Sequence, residues 1–142
     1  MRVPVTISQR GVYVTALIRS DEFNLDTPVP FIVDSGAQDT TLSASYIYFH
    51  NDEIDFSNLE TKEAVGICGI CKIFLLHNTT LYFCSEQGEW FIGGVFEEIG
   101  LIPPKYKPIT NQLIPIPSLL GLDLIGIKFT FHYEAGNIYL EF

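Results

Sequence analysis

Positively charged side chains are scarce in this sequence of 142 residues, which has 8 Lys and Arg against 17 Asp and Glu and a formal net charge of −9. Nucleic acids and anionic membranes are bound by clustered cations, so this balance weighs against both kinds of partner. No apolar run reaches the roughly 18 residues of a membrane-spanning helix. The amino-terminal segment also has no apolar core of about 7–15 residues, so we expect no signal peptide.

Cysteine is scarce as well, and three residues are too few for a disulfide scaffold. This count predicts a reducing compartment, most simply the cytoplasm. Disorder is excluded because 47% of the residues are hydrophobic and 13% are aromatic. The length is that of one domain with a real core, so we expect residues 1–142 to form a single domain.

The apolar pattern is mostly that of short β-strands separated by turns, which predicts a mainly β fold built as a small closed β-barrel. Residues 43–49 are ambiguous, although Ser43 is a suitable cap for a helical turn. The one short helix is expected near the carboxyl end, from Leu119 to Ile125 with Ser118 as its cap. Strands are predicted at 3–8, 12–19, 29–33, 63–83 with glycine breaks, 90–96, 127–133 and 138–142, and loops at 21–30, 51–62 and 101–117.

Residues 31–43 read FIVDSGAQDTTLS, so the apolar end of a buried strand runs directly into Asp34. A carboxylate in apolar surroundings is costly unless it is well paired, so Asp34 is either a turn residue facing water or a group held for chemistry. Gly36 allows a sharp turn that brings N–H groups toward the carboxylate, Ser35 supplies a hydroxyl, and Ala37 leaves room above the acid. Asp-Ser-Gly is also common in ordinary turns, so these residues alone leave both interpretations open.

The stretch resembles the active-site motif of the retropepsin family of aspartic proteases, in which an apolar triplet precedes the equivalent of Asp34-Ser35-Gly36-Ala37. Residues 64–70, with their two glycines, lie where that family has its flap. Residues 119–125 resemble the apolar-apolar-Gly segment and helix that support the active-site loop. The sequence is similar above all to the protease domain of eukaryotic DNA-damage-inducible ubiquitin-shuttle proteins, which share Val-Asp-Ser-Gly-Ala-Gln and Leu-Leu-Gly-Leu-Asp.

This resemblance implies a barrel of the acid-protease type and an endopeptidase that cuts extended or unfolded polypeptides near apolar residues. The chemistry needs two carboxylates at one water, and the chain has one motif, so the resemblance implies a homodimer with Asp34 from each chain near a two-fold axis. Two carboxylates about 3 Å apart share one proton, which predicts an acidic optimum. Neither a metal nor an organic cofactor is required.

The resemblance also implies roles for the neighbours of Asp34 and for the flap. Ser35 would bridge to the loop of the opposite chain, and Gly36 would offer its N–H to the acid and its carbonyl to substrate. Substrate would add as a strand between this loop and the flap. The flap and substrate-binding residues would be Gly66, Ile67, Cys68, Gly69 and Ile70, with Ala37, Ile67 and Ile70 lining pockets, although each of these three is equally consistent with an ordinary hairpin or core residue.

One departure from the family concerns an ion pair near the dimer contact. Retroviral members usually have Asp two residues after the motif's glycine and Arg after the helix-opening glycine, where this chain has Gln38 and Leu122. Because a single remaining charge would be costly, the joint loss is self-consistent. It implies a dimer contact unlike the retroviral one.

Cys68-Gly69-Ile70-Cys71 is a C-x-x-C motif that allows other interpretations. A redox centre needs a helix after the first cysteine, whereas residues 72–76 are typical of a strand. A zinc site could use Cys68, Cys71, His77 and Cys84, but no second paired motif supports it. The remaining possibilities are two small apolar side chains on a flap, or an oxidation that gates it.

A second function class stays open beside the protease. The same fold could serve as a catalytically silent dimerisation or peptide-binding module. The intact Asp34, Gly36 and flap glycines favour the enzyme, whereas the missing ion pair and the proline-rich segment leave the dimer geometry open.

Overall fold

The computed structural model describes residues 1–49, 54–66 and 69–142, and most of them lie in β-strands, which confirms the predicted fold class. A short helix, α1 (Ala44–Phe49), and a 3₁₀ turn (Phe56–Asn58) accompany the strands. None of the helices in these ranges is long and apolar enough to cross a membrane. The strands are β1 (Arg2–Pro4), β2 (Thr6–Ser8), β3 (Gly11–Ser20), β4 (Leu25–Val33), β5 (Thr41–Ser43), β6 (Thr61–Gly66), β7 (Gly69–Cys84), β8 (Trp90–Ile102), β9 (Ser118–Leu120), β10 (Thr130–Glu134) and β11 (Asn137–Glu141).

The larger of the two sheets closes on itself. Its strand order is β2-β3-β4-β9-β5-β8-β7-β6, and β3 also pairs with β7. The strands β3, β4, β9, β5, β8 and β7 therefore form a closed ring of pairings, as the sequence predicted. Closure leaves few free strand edges, which are otherwise sites of unwanted pairing.

A smaller sheet joins the two ends of the chain in the order β1-β11-β10. The amino group of Met1 donates to the carbonyl of Phe142 at 3.0 Å, and the N–H of Phe142 donates to the carbonyl of Met1 at 2.8 Å. The predicted closing hairpin is confirmed as β10 and β11. The predicted first strand is divided at Val5, since β1 joins this small sheet and β2 joins the large one.

The core lies directly beneath the segment that carries Asp34. Phe31 of β4, Leu42 of β5 and Leu120 of β9 are all 0% exposed. Burying a side chain of this size stabilises the fold by about 1.5–3 kcal/mol. The three strands that flank the Asp34 loop are thus fixed by packing close to that loop.

The polar loop predicted at 21–30 is wrong for most of its length, because β4 begins at Leu25 and pairs with β3 from there. Leu25, Thr27, Val29 and Phe31 are buried, whereas Asp26 and Pro28 are exposed, so the segment alternates like a strand. Its prolines are tolerated because β9 pairs with β4 only from Phe31 onward, which leaves this part of β4 at an edge.

The helix predicted from Leu119 to Ile125 is also wrong. Ser118–Leu120 is strand β9, and the following residues form a single turn in which the N–H of Ile125 donates to the carbonyl of Gly121 at 3.0 Å. Leu119 and Leu120 pair with β4, so strand pairing prevails over the local helical preference. The α-helix that the described residues contain is α1, where Ser43 accepts from the N–H of Ser45 at 3.3 Å as the expected cap.

Strand β8 extends beyond the predicted 90–96 and contains a bulge at the predicted glycine break. The register shifts so that Leu81 pairs with Gly94 and Tyr82 with Ile92, leaving Gly93 as the extra residue. A Cβ at Gly93 would collide with the ring of Phe83. The proline-rich segment is mostly a loop, with one bridge between Tyr106 and Leu113.

Candidate active site

Asp34 stands immediately after β4, at the point where that strand leaves the core. Its N–H donates to the carbonyl of Leu120 at 3.0 Å, which continues the parallel pairing of β4 with β9 by one residue. Its side chain is half-buried, between the buried Phe31 and the exposed Ser35. The sequence therefore placed this carboxylate correctly at the end of a buried strand.

The residues after Asp34 form a tight turn around its carboxylate. The N–H of Gly36 donates to Oδ1 of Asp34 at 2.9 Å, and the N–H of Ala37 donates to the carbonyl of Asp34 at 3.2 Å. A Cβ at Gly36 would lie 3.1 Å from that same Oδ1. Glycine thus permits the close approach of backbone to carboxylate, as expected from the motif.

Strand β9 lies between the two strands that the loop connects. It pairs in parallel with β4 and, through Leu119 and Thr41, antiparallel with β5. The hydroxyl of the buried Ser118 also accepts from the N–H of Ser43 at 2.8 Å. The loop from Asp34 to Thr40 is therefore anchored at both ends to one buried strand.

The turn after β9 holds the middle of the loop through backbone hydrogen bonds. The N–H of Leu122 donates to the carbonyl of Ala37 at 2.9 Å, and the N–H of Asp123 donates to the carbonyl of Gln38 at 3.2 Å. A Cβ at Gly121 would lie 2.6 Å from the carbonyl carbon of Asp39. Only glycine at position 121 lets the two backbones approach this closely.

Thr40 and Asp123 complete this support, and the sequence analysis missed both of them. The hydroxyl of Thr40 donates to Oδ1 of Asp123 at 2.5 Å and accepts from the N–H of Gly121 at 3.0 Å. The N–H of Thr40 donates to Oδ2 of Asp123 at 2.9 Å. Thr40 is 2% exposed, so these bonds are shielded from water. The only signal in the sequence was a carboxylate two residues after the glycine at position 121.

Gln38 and Leu122, the two positions at which the sequence analysis noted a missing ion pair, both line the surface beside the loop. Both side chains are exposed, and with Asp39, Asp123 and Ile127 they line a shallow cavity of about 360 Å³. Leu122 is 43% exposed and Ile127 is 74% exposed. A partly apolar surface that also carries the carboxylates of Asp39 and Asp123 therefore adjoins the Asp34 loop.

Three of the proposed flap residues, Gly66, Gly69 and Ile70, lie on the separate hairpin formed by β6 and β7. Gly66 pairs with Gly69 and Val65 pairs with Ile70, so the predicted breaks are the two ends of the hairpin connection. Ile70 is 70% exposed. Ile67 and Cys68 lie outside the described residues, so the predictions for them stay predictions.

The position of β7 argues against two interpretations of the C-x-x-C motif, the redox centre and the zinc site. Cys71 lies within this strand, so the motif is not followed by the helix that a redox centre needs. His77 and Cys84 lie seven residues apart on β7, which in extended chain is roughly 20 Å. They cannot share one zinc ion, so the four-residue ligand set proposed from the sequence is wrong.

Comparisons with known proteins give matches among solved structures only. No protein-family model matches the sequence, and no curated protein matches it. Among solved structures, the chain is similar to the EIAV protease complexed with the inhibitor HBY-793, with 16% sequence identity and a TM-score of 0.42 over 85% of this chain and 83% of that one.

Proposed function

We propose that this protein is a homodimeric aspartic endopeptidase in which Asp34 of each protomer supplies one catalytic carboxylate. The observation that carries the proposal is the half-buried carboxylate of Asp34, oriented by the N–H of Gly36 at 2.9 Å on a loop that β9 and the turn at Gly121 hold from below. Such support suits a catalytic group, because small displacements of a reacting group reduce the rate strongly.

The proposed chemistry uses two such carboxylates and one water. One Asp34, ionised, accepts a proton from the water as the oxygen attacks the scissile carbonyl. The other, protonated, donates a hydrogen bond to the carbonyl oxygen as negative charge develops there. As the carbon–nitrogen bond breaks, the nitrogen takes the proton that the first Asp34 accepted from the water and leaves as an amine, so the dyad again holds one proton. Because two close carboxylates hold a single proton, activity requires an intermediate protonation state and decreases as the pH approaches neutrality.

The surface beside Asp34 supports association of two chains in this arrangement. Leu122 and Ile127 expose apolar side chains next to Gln38, directly adjoining the catalytic loop. Exposed apolar residues that cluster in this way favour protein contact. A two-fold axis near this surface would bring the two Asp34 loops together, without the charged pair of retroviral proteases.

In the proposed dimer, a single chain carries only half of the substrate cleft. The cavity beside the loop measures about 360 Å³, whereas a larger one of about 570 Å³ is lined by residues far from the loop in sequence, including Leu17, Tyr82 and Trp90. In the proposed dimer, an extended polypeptide would lie between the two loops and the β6–β7 hairpins. The exposed Ile70 would contact its apolar side chains.

The proposal treats residues 1–142 as one domain, and the cytoplasm stays the location predicted from the cysteine content.

The test is cleavage of a denatured, quenched-fluorescent protein between about pH 3 and pH 7. We expect activity that is highest in acid and decreases by at least about 10³-fold in Asp34→Asn, since the substitution replaces both carboxylates of the homodimer with amides and leaves no base for the attacking water. Sedimentation at the assay concentration should show a dimer for both proteins.

The matched control is Glu134→Gln, which removes an exposed carboxylate on β10, outside the Asp34 loop and the surface beside it, and should retain activity within about two-fold. A folded dimer without activity in the wild type would instead indicate the silent dimerisation or peptide-binding module. Equal activity in the wild type and in Asp34→Asn would show that another site cleaves the substrate, and the proposal would be wrong.

A further inference from the structure

His77 is surrounded by three carboxylates on the face of the sheet beside the base of the β6–β7 hairpin. Its Nε2 lies 3.4 Å from Oε2 of Glu60 and 3.9 Å from Oε2 of Glu98. Its Nδ1 lies 3.7 Å from Oε2 of Glu22. None of these residues belongs to the Asp34 loop, and the proposed protease chemistry uses none of them.

Backbone pairing fixes the positions of the four residues. His77 of β7 lies directly opposite Glu98 of β8. The carbonyl of Glu60, at the entry to β6, accepts from the N–H of Leu75 at 2.9 Å. Glu22 lies in the turn between β3 and β4, and its Oε2 accepts from the N–H of His77 at 2.8 Å. Their proximity is therefore built into the sheet and does not depend on flexible side chains alone.

The charges of this group are not balanced by the protein. Three carboxylates face one imidazole, and among the described residues no Lys or Arg forms an ion pair with Glu22, Glu60 or Glu98. The chain as a whole has a net charge of −9. Carboxylates placed this close repel one another unless a cation or protons compensate them.

The arrangement of donor atoms fits a metal ion. One atom each from Glu60, His77 and Glu98 lie within 4.8 Å of one another. Zinc binds imidazole nitrogen and carboxylate oxygen at about 2.0–2.2 Å, which places neighbouring ligand atoms of a tetrahedral site about 3.4 Å apart. The separations of 3.4 and 3.9 Å at Nε2 are close to that value, so small side-chain adjustments suffice.

We propose that Glu60, His77 and Glu98 form a binding site for a divalent first-row transition metal, with Zn²⁺ as its probe. Imidazole favours such ions over Ca²⁺ or Mg²⁺, and two carboxylates neutralise the charge of the ion. Three protein ligands leave a position for water or for a further ligand.

Glu22 takes the position of an outer ligand in this site. Histidines that bind a metal through one ring nitrogen usually direct the other toward a carboxylate, which fixes the ring orientation. Oε2 of Glu22 lies 3.7 Å from Nδ1, so a small rotation of the ring would bring that nitrogen within hydrogen-bond distance, while Glu60 and Glu98 lie near Nε2. The ion would tie the base of β6 to β8, so it would stabilise the closed sheet whether or not Asp34 is catalytic.

The test is calorimetric titration of the tag-free full chain with Zn²⁺ at about pH 7.5, because protons compete with the metal for its ligands in acid. A Cys68→Ser/Cys71→Ser background removes thiols that could bind the ion. We expect one ion per chain, no such binding in His77→Gln, and at least about tenfold weaker binding in Glu98→Gln and in Glu22→Gln. In the proteins that bind the ion, Zn²⁺ should also raise the Tm.

His132→Gln is the matched control, because His132 faces a single carboxylate, with its Nε2 3.3 Å from Oε2 of Glu141. It should bind Zn²⁺ like its parent protein. Circular dichroism identifies any variant that fails to fold, and Glu98→Gln, which changes only a surface side chain, then decides the result. Two results would overturn the proposal. One is the absence of stoichiometric Zn²⁺ binding in the parent protein, and the other is binding in His77→Gln and Glu98→Gln that equals binding in the parent.

Discussion

The loop at Asp34 and the turn at Asp123 lie side by side, and each contains an aspartate with a different role. The carboxylate of Asp123 accepts from the hydroxyl and the N–H of Thr40, at 2.5 and 2.9 Å, and is thereby committed to structure. The carboxylate of Asp34 accepts from the N–H of Gly36 within its own turn and faces the surface. One region supplies rigidity, and the other presents a group that can react.

This difference shows how a carboxylate can be held in place while its oxygens stay available for other partners. The backbone of the Asp34 loop is fixed through Ala37, Gln38 and Thr40, so the side chain of Asp34 itself needs few partners. If the division is correct, changes in the turn should damage the fold first and activity only through it. Changes at Asp34 should reduce activity and leave the free energy of unfolding nearly unchanged.

Gly121→Ala should have the largest effect on the fold. The added Cβ would lie 2.6 Å from the carbonyl carbon and 2.8 Å from the carbonyl oxygen of Asp39, and backbone atoms cannot move aside as side chains can. We expect a loss of about 3 kcal/mol or more in the free energy of unfolding, measured by urea denaturation.

Gly88→Ala is the control for Gly121→Ala. Gly88 has φ +84°, and a Cβ added there would meet no heavy atom within 4 Å, so its cost is conformational, about 1 kcal/mol. Gly121 is not among the residues with positive φ, so its requirement is space alone. Equal losses in the two variants would contradict the close packing of turn against loop.

Thr40→Val should have the next largest effect. Valine keeps the shape but removes the hydroxyl that donates to Asp123 and accepts from Gly121, and it leaves that N–H buried without its partner. We expect about 2–3 kcal/mol lower stability in urea. Any activity should decrease because the Asp34 loop loses its support.

Thr40→Ser is the control, since it keeps the hydroxyl and should lower stability by only about 1 kcal/mol for the lost methyl group. A Val variant as stable as the Ser variant would show that these bonds do not hold the loop.

The sequence was sufficient to predict the mainly β fold, the closed sheet, and the place of Asp34 at the end of a buried strand. These features depend on local signals, namely alternation of apolar residues and glycine in a tight turn. The helix at 119–125 was mispredicted because its residues suit a helix locally, whereas Leu119 and Leu120 pair between distant strands. Likewise, β4 was predicted too short because its prolines suggested a loop.

The support of the site was harder to predict than its reactive group. Thr40 and Asp123 are separated by 83 residues, and their hydrogen bonds exist only because β9 lies between β4 and β5. The cluster at His77 has the same origin, since Glu22, Glu60 and Glu98 come from different elements. No spacing along the chain brings such residues together without knowledge of strand order.

The smallest expected effect concerns a third carboxylate, Asp55, which is held by hydrogen bonds but is fully exposed. Its Oδ1 accepts from the hydroxyl and the N–H of Ser57, at 2.5 and 3.0 Å, as a cap on the 3₁₀ turn. These bonds favour the charged form and hold the pKa of Asp55 below its ordinary value of 3.8. A lowered pKa means that the stabilisation is complete above that ordinary value and is lost as the pH falls through the lower, folded value.

Ser57→Ala should therefore lower the Tm by no more than a few degrees near pH 7, and the difference from wild type should shrink below about pH 3. If the Tm difference between wild type and Ser57→Ala persisted in strong acid, Ser57 would stabilise the turn without the charge of Asp55. A hydrogen-bonded carboxylate at the surface would then contribute less to stability than the shielded contacts of Asp123 suggest.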